Sequence, residues 1–117
     1  MDRPPVVLQR ADWARKPDLW SGRAEGKTLG TDVTVLFFSS EEVGDGPPLH
    51  VHPYDEVFIL RAGRARFTIG DLVLEAEAGQ ILMAPANMPH KFEVLGPGRF
   101  ETTDIHLSPE FIQTNLE

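Results

Sequence analysis

The placement of glycine and proline constrains the fold of this chain more than any other feature of its sequence. Ten Gly and ten Pro are distributed along the chain rather than gathered into a linker. From Thr31 onward they separate short segments rich in Val, Ile, Leu, Phe and Thr. These segments are Asp32–Ser39, Leu49–His52, Glu56–Arg61, Ala65–Ile69, Leu72–Ala76, Ile81–Ala84, His90–Leu95 and Phe100–Leu107. Segments of about four to eight such residues, set at short and even intervals, predict an all-β sandwich or barrel. Gly70-Asp71, between two of them, predicts a two-residue hairpin turn.

One domain with two appended ends is the predicted organisation. The 117 residues, of which 41% are apolar, suffice for a single hydrophobic core. We interpret residues 1–30 as an N-terminal arm, 31–107 as the barrel and 108–117 as a short C-terminal helix. The helix prediction rests on Ser108-Pro109-Glu110, which has the pattern of an N-cap, a first-position proline and a first-turn acid. Trp13 and Trp20 are interpreted as packing the arm against the barrel or a second subunit, with a ligand clamp as the alternative.

Charge and cysteine content exclude several classes of function. Eleven basic and eighteen acidic residues leave a net charge of −7, which argues against nucleic acid and anionic membranes as partners. No apolar run approaches the roughly 20 residues that a bilayer crossing needs. The chain has no cysteine, so disulfides, iron–sulfur clusters, thiolate zinc sites and cysteine nucleophiles are excluded. Its first residues show no basic segment leading into an apolar stretch, which is the pattern of a secretory signal peptide. These features predict a cytoplasmic protein.

Three histidines and one glutamate carry the chemistry that the sequence offers. His50 and His52 lie two residues apart in one segment, so both rings point to the same face, with Cα atoms about 6.5 Å apart. Glu56 shares a face with Phe58, and His90 opens a later segment. Imidazoles and a carboxylate suit Fe, Mn, Zn, Ni, Co or Cu, and four ligands leave open positions on such an ion. An open position is what a catalytic metal requires. We therefore expect one divalent transition-metal ion per chain.

The spacing of these residues resembles the two motifs of the cupin family. The first motif is matched by Gly44-x5-His50-x-His52-x3-Glu56-x6-Gly63. The second is matched by Gly79-x5-Pro85-x-Asn87-x2-His90-x3-Val94, in which Asn87 stands where the family usually has glycine and Val94 where it often has asparagine. Asparagine is the non-glycine residue that best tolerates left-handed backbone, so the turn at Asn87 remains plausible.

The resemblance implies a double-stranded β-helix (jelly-roll) barrel, a homodimer, and a metal at the mouth of the barrel held by His50, His52, Glu56 and His90. It also implies a small-molecule ligand. Members of the family include dioxygenases, isomerases and lyases as well as non-catalytic binding domains, so the fold does not choose the reaction. Two functions stay open. One is a metal-dependent enzyme acting on a small organic molecule, with a dioxygenase considered first and an isomerase or lyase next. The other is a metal-anchored binding or sensor module.

Two residues are candidates for a catalytic role. Glu56 could serve as a base if it is loosely coordinated. His106 shares its strand face with Asp104, and is interpreted as an acid, base or substrate contact in the pocket, with a surface or dimer contact as the alternative. Tyr54 and Asp55, in the turn between the predicted ligands, are expected to support the site rather than react.

Overall fold

Eleven β-strands and two four-residue helices make up the regular structure of residues 3–117, the part of the chain that this computed structural model describes. The helices are α1 (Arg10–Trp13) and α2 (Gly26–Leu29). The strands are β1 (Ala14–Lys16), β2 (Leu19–Ala24), β3 (Thr34–Ser40), β4 (His50–Val51), β5 (Glu56–Ala62), β6 (Arg64–Ile69), β7 (Leu72–Glu77), β8 (Ile81–Ala84), β9 (His90–Val94), β10 (Phe100–His106) and β11 (Thr114–Asn115). Within residues 3–117 no helix has the length and apolar character required to span a membrane.

Two antiparallel sheets form the barrel, as the sequence predicts. One has six strands in the order β1-β2-β3-β10-β5-β8, and the other has five in the order β11-β4-β9-β6-β7. Strand neighbours that are distant in sequence, such as β3 and β10, give the jelly-roll connectivity. The predicted hairpin at Gly70-Asp71 is confirmed: Ile69 pairs with Leu72, and Gly70 has a φ of 58°. Asn87 adopts the left-handed conformation expected of it, with a φ of 65°.

The inward-facing positions change from polar to apolar along the strands. Each strand places alternate residues on the inner face. In β5 these run from Glu56 to Leu60, in β9 from His90 to Val94, and in β10 from His106 back to Phe100, and all are buried. The apolar end is an aromatic core in which, for example, the rings of Phe67 and Phe92 stack with centroids 5.1 Å apart. The barrel is therefore closed by packing at one end and polar at the other.

The C-terminal tail, residues 108–117, does not form the predicted helix. Ser108 Oγ accepts a hydrogen bond from the N–H of Glu110, which is the local contact that the capping pattern anticipates. The following backbone groups find partners elsewhere: the N–H of Phe111 donates to Glu25 and that of Ile112 to Tyr54. Farther on, β11 pairs with β4. The helix prediction is wrong because tertiary hydrogen bonds take the groups that a helix would have paired internally.

The N-terminal arm is continuous with the six-stranded sheet. Strand β2 pairs with β3, and β1 pairs with β2 at the edge. The rings of Trp13 and Trp20 pack against Phe37 of β3, with centroids 4.6 and 6.0 Å away. The tryptophans therefore attach the arm to the barrel, which is the packing role expected for them.

Candidate metal centre

Strand ends bring the predicted site residues to one end of the barrel. Glu56, His50 and His90 each begin a strand, whereas His106 ends one. Because the pairings are antiparallel, these ends meet: His50 lies opposite His90, and His106 lies opposite Glu56. His52 follows the last residue of β4, and because side chains alternate between the two faces of a strand, it points to the same side as His50. All five side chains are buried.

The four predicted ligands form one cluster. One donor atom from each of His50, His52, Glu56 and His90 lies within 4.8 Å of every other. Glu56 is at the centre of the group, because its Oε1 lies 3.1 Å from Nε2 of His52 and 3.0 Å from Nε2 of His90. Donors about 2.1 Å from one ion lie about 3 to 4 Å from each other. The distances between the donor atoms of the cluster are therefore close to those that a single bound ion imposes.

Backbone carbonyls orient the three imidazoles. The Nδ1 atom of His50 lies 2.7 Å from the carbonyl of Pro48, that of His52 lies 2.7 Å from Ile112, and that of His90 lies 2.9 Å from Met88. A carbonyl oxygen can only accept, so each Nδ1 carries the hydrogen. In a neutral ring the Nε2 atom then holds a free lone pair, which in this cluster faces the other donors. Metal-ligating histidines are oriented in this way.

The cluster fits a divalent transition-metal ion. Nε2 of His52 is buried and has no hydrogen-bond partner within residues 3–117, although Oε1 of Glu56 is 3.1 Å away. A lone pair facing a carboxylate is repulsive unless a cation lies between them. Three imidazole nitrogens and one carboxylate oxygen are a donor set that divalent transition metals accept. His50, His52, Glu56 and His90 thus form a site for one such ion, whose identity the donor set leaves open.

His106 belongs to the same cluster through Glu56. Its Nε2 lies 3.0 Å from Oε2 of Glu56, and its Nδ1 lies 2.8 Å from the hydroxyl of Tyr54. The Tyr54 hydroxyl has one hydrogen and also lies 3.1 Å from the carbonyl of Ile112, and the shorter contact assigns that hydrogen to Nδ1 of His106. The Nε2 atom of His106 then carries the ring hydrogen and donates it to the carboxylate. His106 therefore lies inside the barrel and not at its surface. Tyr54 is buried beside it, whereas Asp55 accepts a hydrogen bond from the N–H of Ala86.

Burial and hydrogen bonds shift the pKa values of the cluster in different directions. Burial is the main cause that lowers the pKa of His50 to about 4; the neighbouring His90 and His52 act in the same direction, and the hydrogen bond to the Pro48 carbonyl opposes them. Burial alone would raise the pKa of Glu56, but the rings of His106, His52 and His90, whose Nε2 atoms face its carboxylate, hold that pKa below its ordinary value. For His90, burial opposes protonation, yet the hydrogen bond to Glu56 raises the pKa. The carboxylate is therefore ionised at neutral pH.

A cavity of about 1000 Å³ opens onto this cluster. Its walls include His50, His52, Glu56 and His106 together with the aromatic rings of the barrel. Arg23, Arg15 and Lys16 of the N-terminal arm lie around it, and the guanidinium of Arg23 is 4.1 Å from the ring centre of Phe111. The volume is sufficient for a small organic molecule beside the ion.

Sequence reasoning missed two contributors to the site. The C-terminal tail supplies the Ile112 carbonyl that holds His52 and the Phe111 ring that stacks on His106, with centroids 5.6 Å apart. Nothing in the local sequence signals that route. Asp104 also lines the cavity and is buried. Its position on the His106 face was visible from strand alternation.

Comparisons with known proteins agree with this geometry. A family model described as "Cupin domain" matches residues 37–106. No curated protein matches the chain significantly in sequence. Oxalate decarboxylase of Bacillus subtilis, whose Mn(II) centres have been studied, superposes with a TM-score of 0.74 at 20% identity over 81% of this chain and 27% of its own.

Two further solved structures have the same architecture. An uncharacterized conserved protein with a double-stranded β-helix domain from Klebsiella pneumoniae has a TM-score of 0.71 and 19% identity, covering 93% of this chain and 89% of its own. An oxalate oxidase has a TM-score of 0.74 and 14% identity, covering 94% and 63%. This chain spans about a quarter of the oxalate decarboxylase. At these identities the similarities establish the fold alone.

Proposed function

This chain belongs to the cupin domain family, and we propose that it is a metal-dependent enzyme acting on a small organic molecule. The observation that carries the proposal is the inward-facing set of three Nε2 atoms around the Glu56 carboxylate, at the wall of a cavity of about 1000 Å³. A structural site would be closed, with a protein ligand at every position. Three of the four ligands, His50, His52 and Glu56, line that cavity, which leaves room for a substrate oxygen beside an ion held by all four.

The proposed ligands are His50, His52, Glu56 and His90. When bound, a divalent ion would polarise a substrate oxygen at its open positions. The remaining chemistry belongs to the side chains. His106 donates its Nε2 hydrogen to Oε2 of Glu56, and Tyr54 holds the other side of the His106 ring. We assign the catalytic roles to Glu56, as acceptor of a substrate proton, and to His106, which keeps that carboxylate oriented.

A metal-anchored binding or sensor module is the second candidate, and one observation favours it. The histidine rings around Glu56 lower its pKa below the ordinary value, which makes the carboxylate a weak base. A site built only to hold a ligand needs no stronger base. Turnover, as opposed to binding, separates the two candidates.

Metal analysis and turnover assays test the proposal together. We expect close to one transition-metal ion per purified chain. The Fe(II)- and Mn(II)-loaded proteins would then be offered catechols, flavonols and oxalate while oxygen uptake and product formation are followed. We propose oxidative cleavage as the first reaction to test, followed by isomerisation or elimination. Turnover favours the enzyme, and calorimetric binding without turnover favours the module. Wild-type protein that takes up no metal when it is supplied contradicts both.

We also propose that the protein is a homodimer formed through the outer face of the six-stranded sheet. Two cross-strand rows of mainly apolar side chains cross that face. Their members are Val35, Ile105, Val57 and Met83 in one row, and Phe37, Thr103, Ile59 and Ile81 in the other, in which Trp13 and Trp20 of the arm already cover Phe37. Ile81 is 69% and Met83 51% exposed in the single chain. The five-stranded sheet covers the opposite face, so a second copy is the partner we expect here.

Oligomeric state is the measurement that tests the dimer. Ile59→Glu places a charge in the middle of the proposed interface and is expected to give a monomer in light scattering. Val73→Glu is the matched control, because Val73 is 58% exposed on β7 of the other sheet. A monomeric wild type, or a dimer that tolerates Ile59→Glu, contradicts the proposal.

A further inference from the structure

Asp104 is a buried carboxyl that the proposed reaction does not use. It lies on β10 with its side chain 5% exposed at the cavity wall. In the sheet its cross-strand neighbours are Leu36 of β3 and Phe58 of β5. Neither neighbour offers a hydrogen bond or a charge. A carboxylate in such surroundings loses its hydration without compensation.

The polar contacts of Asp104 are few. Within residues 3–117 its side chain makes one hydrogen bond, from the Thr102 hydroxyl to Oδ1 at 2.9 Å, and it takes part in no ion pair. The Thr102 hydroxyl also lies 3.1 Å from the carbonyl of Ile59. It has one hydrogen to give, and the shorter contact assigns that hydrogen to Asp104. The second oxygen, Oδ2, is left for the cavity.

Burial and the nearby carboxylate outweigh the groups that favour ionisation of Asp104. Burial raises its pKa well above the ordinary value, and the nearby Glu56 carboxylate raises it further. The hydrogen bond from Thr102 and the charge of Arg61 lower it by less. His106 lies two residues away on the same face and directs its Nε2 hydrogen to Glu56. An ion on Glu56 would cancel the repulsion from that carboxylate, but the desolvation imposed by burial would remain.

We propose that Asp104 is a specificity-determining residue, which lies in the cavity as a neutral carboxylic acid and donates a hydrogen bond from Oδ2 to an oxygen of the bound small molecule. The inference rests on the proposed function, because that molecule shares the cavity with the ion. The ligand must therefore carry one anionic oxygen that binds the ion and a second oxygen that accepts the hydrogen bond from Asp104. Small carboxylates and catechols have this pattern, whereas ligands whose polar groups only donate do not.

Infrared spectroscopy tests the protonation state directly. At pH 7 the difference spectrum between wild type and Asp104→Asn is expected to contain the carbonyl band of a neutral carboxylic acid, in both the metal-free and the Zn(II)-loaded protein. A difference spectrum with carboxylate bands in the loaded protein overturns the inference. Because the metal-free protein is measured as well, this result is independent of whether the chain binds metal.

Binding of a defined probe tests the hydrogen bond. Oxalate and catechol are titrated into Mn(II)-loaded wild type and three variants by calorimetry. Asp104→Asn keeps an N–H donor and is expected to bind within a few-fold of wild type. Asp104→Leu has the same shape without a donor, and its affinity should fall about tenfold to a hundredfold. Glu77→Leu, which removes an exposed carboxylate on β7 outside the cavity lining, is the control and should bind like wild type.

Each outcome of the titration decides the inference. Asp104→Leu that binds as tightly as wild type overturns the hydrogen bond. Loaded wild type that binds neither probe overturns the ligand class. Metal content, measured on every sample, identifies the separate case in which the variants or the wild type do not hold the ion. That case counts against the proposed function, and the protonation state of Asp104 is then judged from the infrared result alone.

Discussion

Removing the end of the C-terminal tail should weaken metal binding although no ligand is lost. The carbonyl of Ile112 accepts the Nδ1 hydrogen of His52 at 2.7 Å, and the backbone N–H of the same residue donates to the Tyr54 hydroxyl at 3.1 Å. The ring of Phe111 stacks on His106. A chain that ends after Glu110 lacks all of these contacts. Its His52 ring would be free to rotate, and its Nδ1 hydrogen would lose a buried partner.

The size of the effect follows from those contacts. Groups that orient a metal-bound histidine are worth tenfold to a hundredfold in metal affinity, which corresponds to about 1.4–2.7 kcal/mol. We expect a loss in this range, because one such hydrogen bond disappears and the Tyr54–His106 pair loses its backbone partners. Among the described strands the tail pairs only with β4, so we expect the pairing of β5, β6, β9 and β10 around the core to be unchanged.

A competition assay with a chromogenic chelator measures the change, with Zn(II) or Mn(II) as the probe. The matched control is a chain that ends after Gln113, which lacks β11 but keeps Phe111 and Ile112. It should bind metal nearly as well as the full chain. Circular dichroism checks that both truncated chains keep their strand content. If the chain ending after Glu110 is folded and binds metal with wild-type affinity, the tail does not position His52.

Two other expectations concern the cluster itself. His52→Ala should abolish metal retention, because it removes a buried Nε2 donor, and elemental analysis of a folded variant at full occupancy would refute the ligand set. The pKa of His50 is lowered to about 4 in the folded protein, so between about pH 6.5 and 4 the unfolded chain binds the extra proton. The metal-free wild type should therefore lose stability relative to His50→Gln as the pH falls through this window. A difference in unfolding free energy between the two proteins that does not change with pH would contradict the effect of burial on His50.

The strands and the ligand set could be predicted from local sequence. Alternation and the glycine and proline breaks depend on neighbouring residues, and they suffice to place His50 and His52 on one face. Asn87 could be assigned to a left-handed turn for the same reason. The family match over residues 37–106 agrees with the predicted barrel. The roles of the ligands in binding and of Glu56 and His106 in catalysis stay predictions, as do the cytoplasmic location and the dimer.

The contacts that complete the site could not be predicted in this way. The tail follows its route because Glu25 and Tyr54, distant in sequence, take its backbone hydrogen bonds. Local capping residues at Ser108 pointed to a helix instead. For Asp104, alternation indicated the inner face, but its apolar neighbours are set by the register of β3 and β5 against β10. That register is a property of the assembled sheet.

The cluster draws its donors from both halves of the sandwich. Glu56 belongs to the six-stranded sheet, whereas His50 and His90 belong to the five-stranded one. A cation bound to all three would be a cross-link between the two layers of the barrel. Such a cross-link adds about 2.7 kcal/mol to the folded state when free metal is a hundredfold above its dissociation constant. The resistance of this barrel to heat would then report how much metal its surroundings supply.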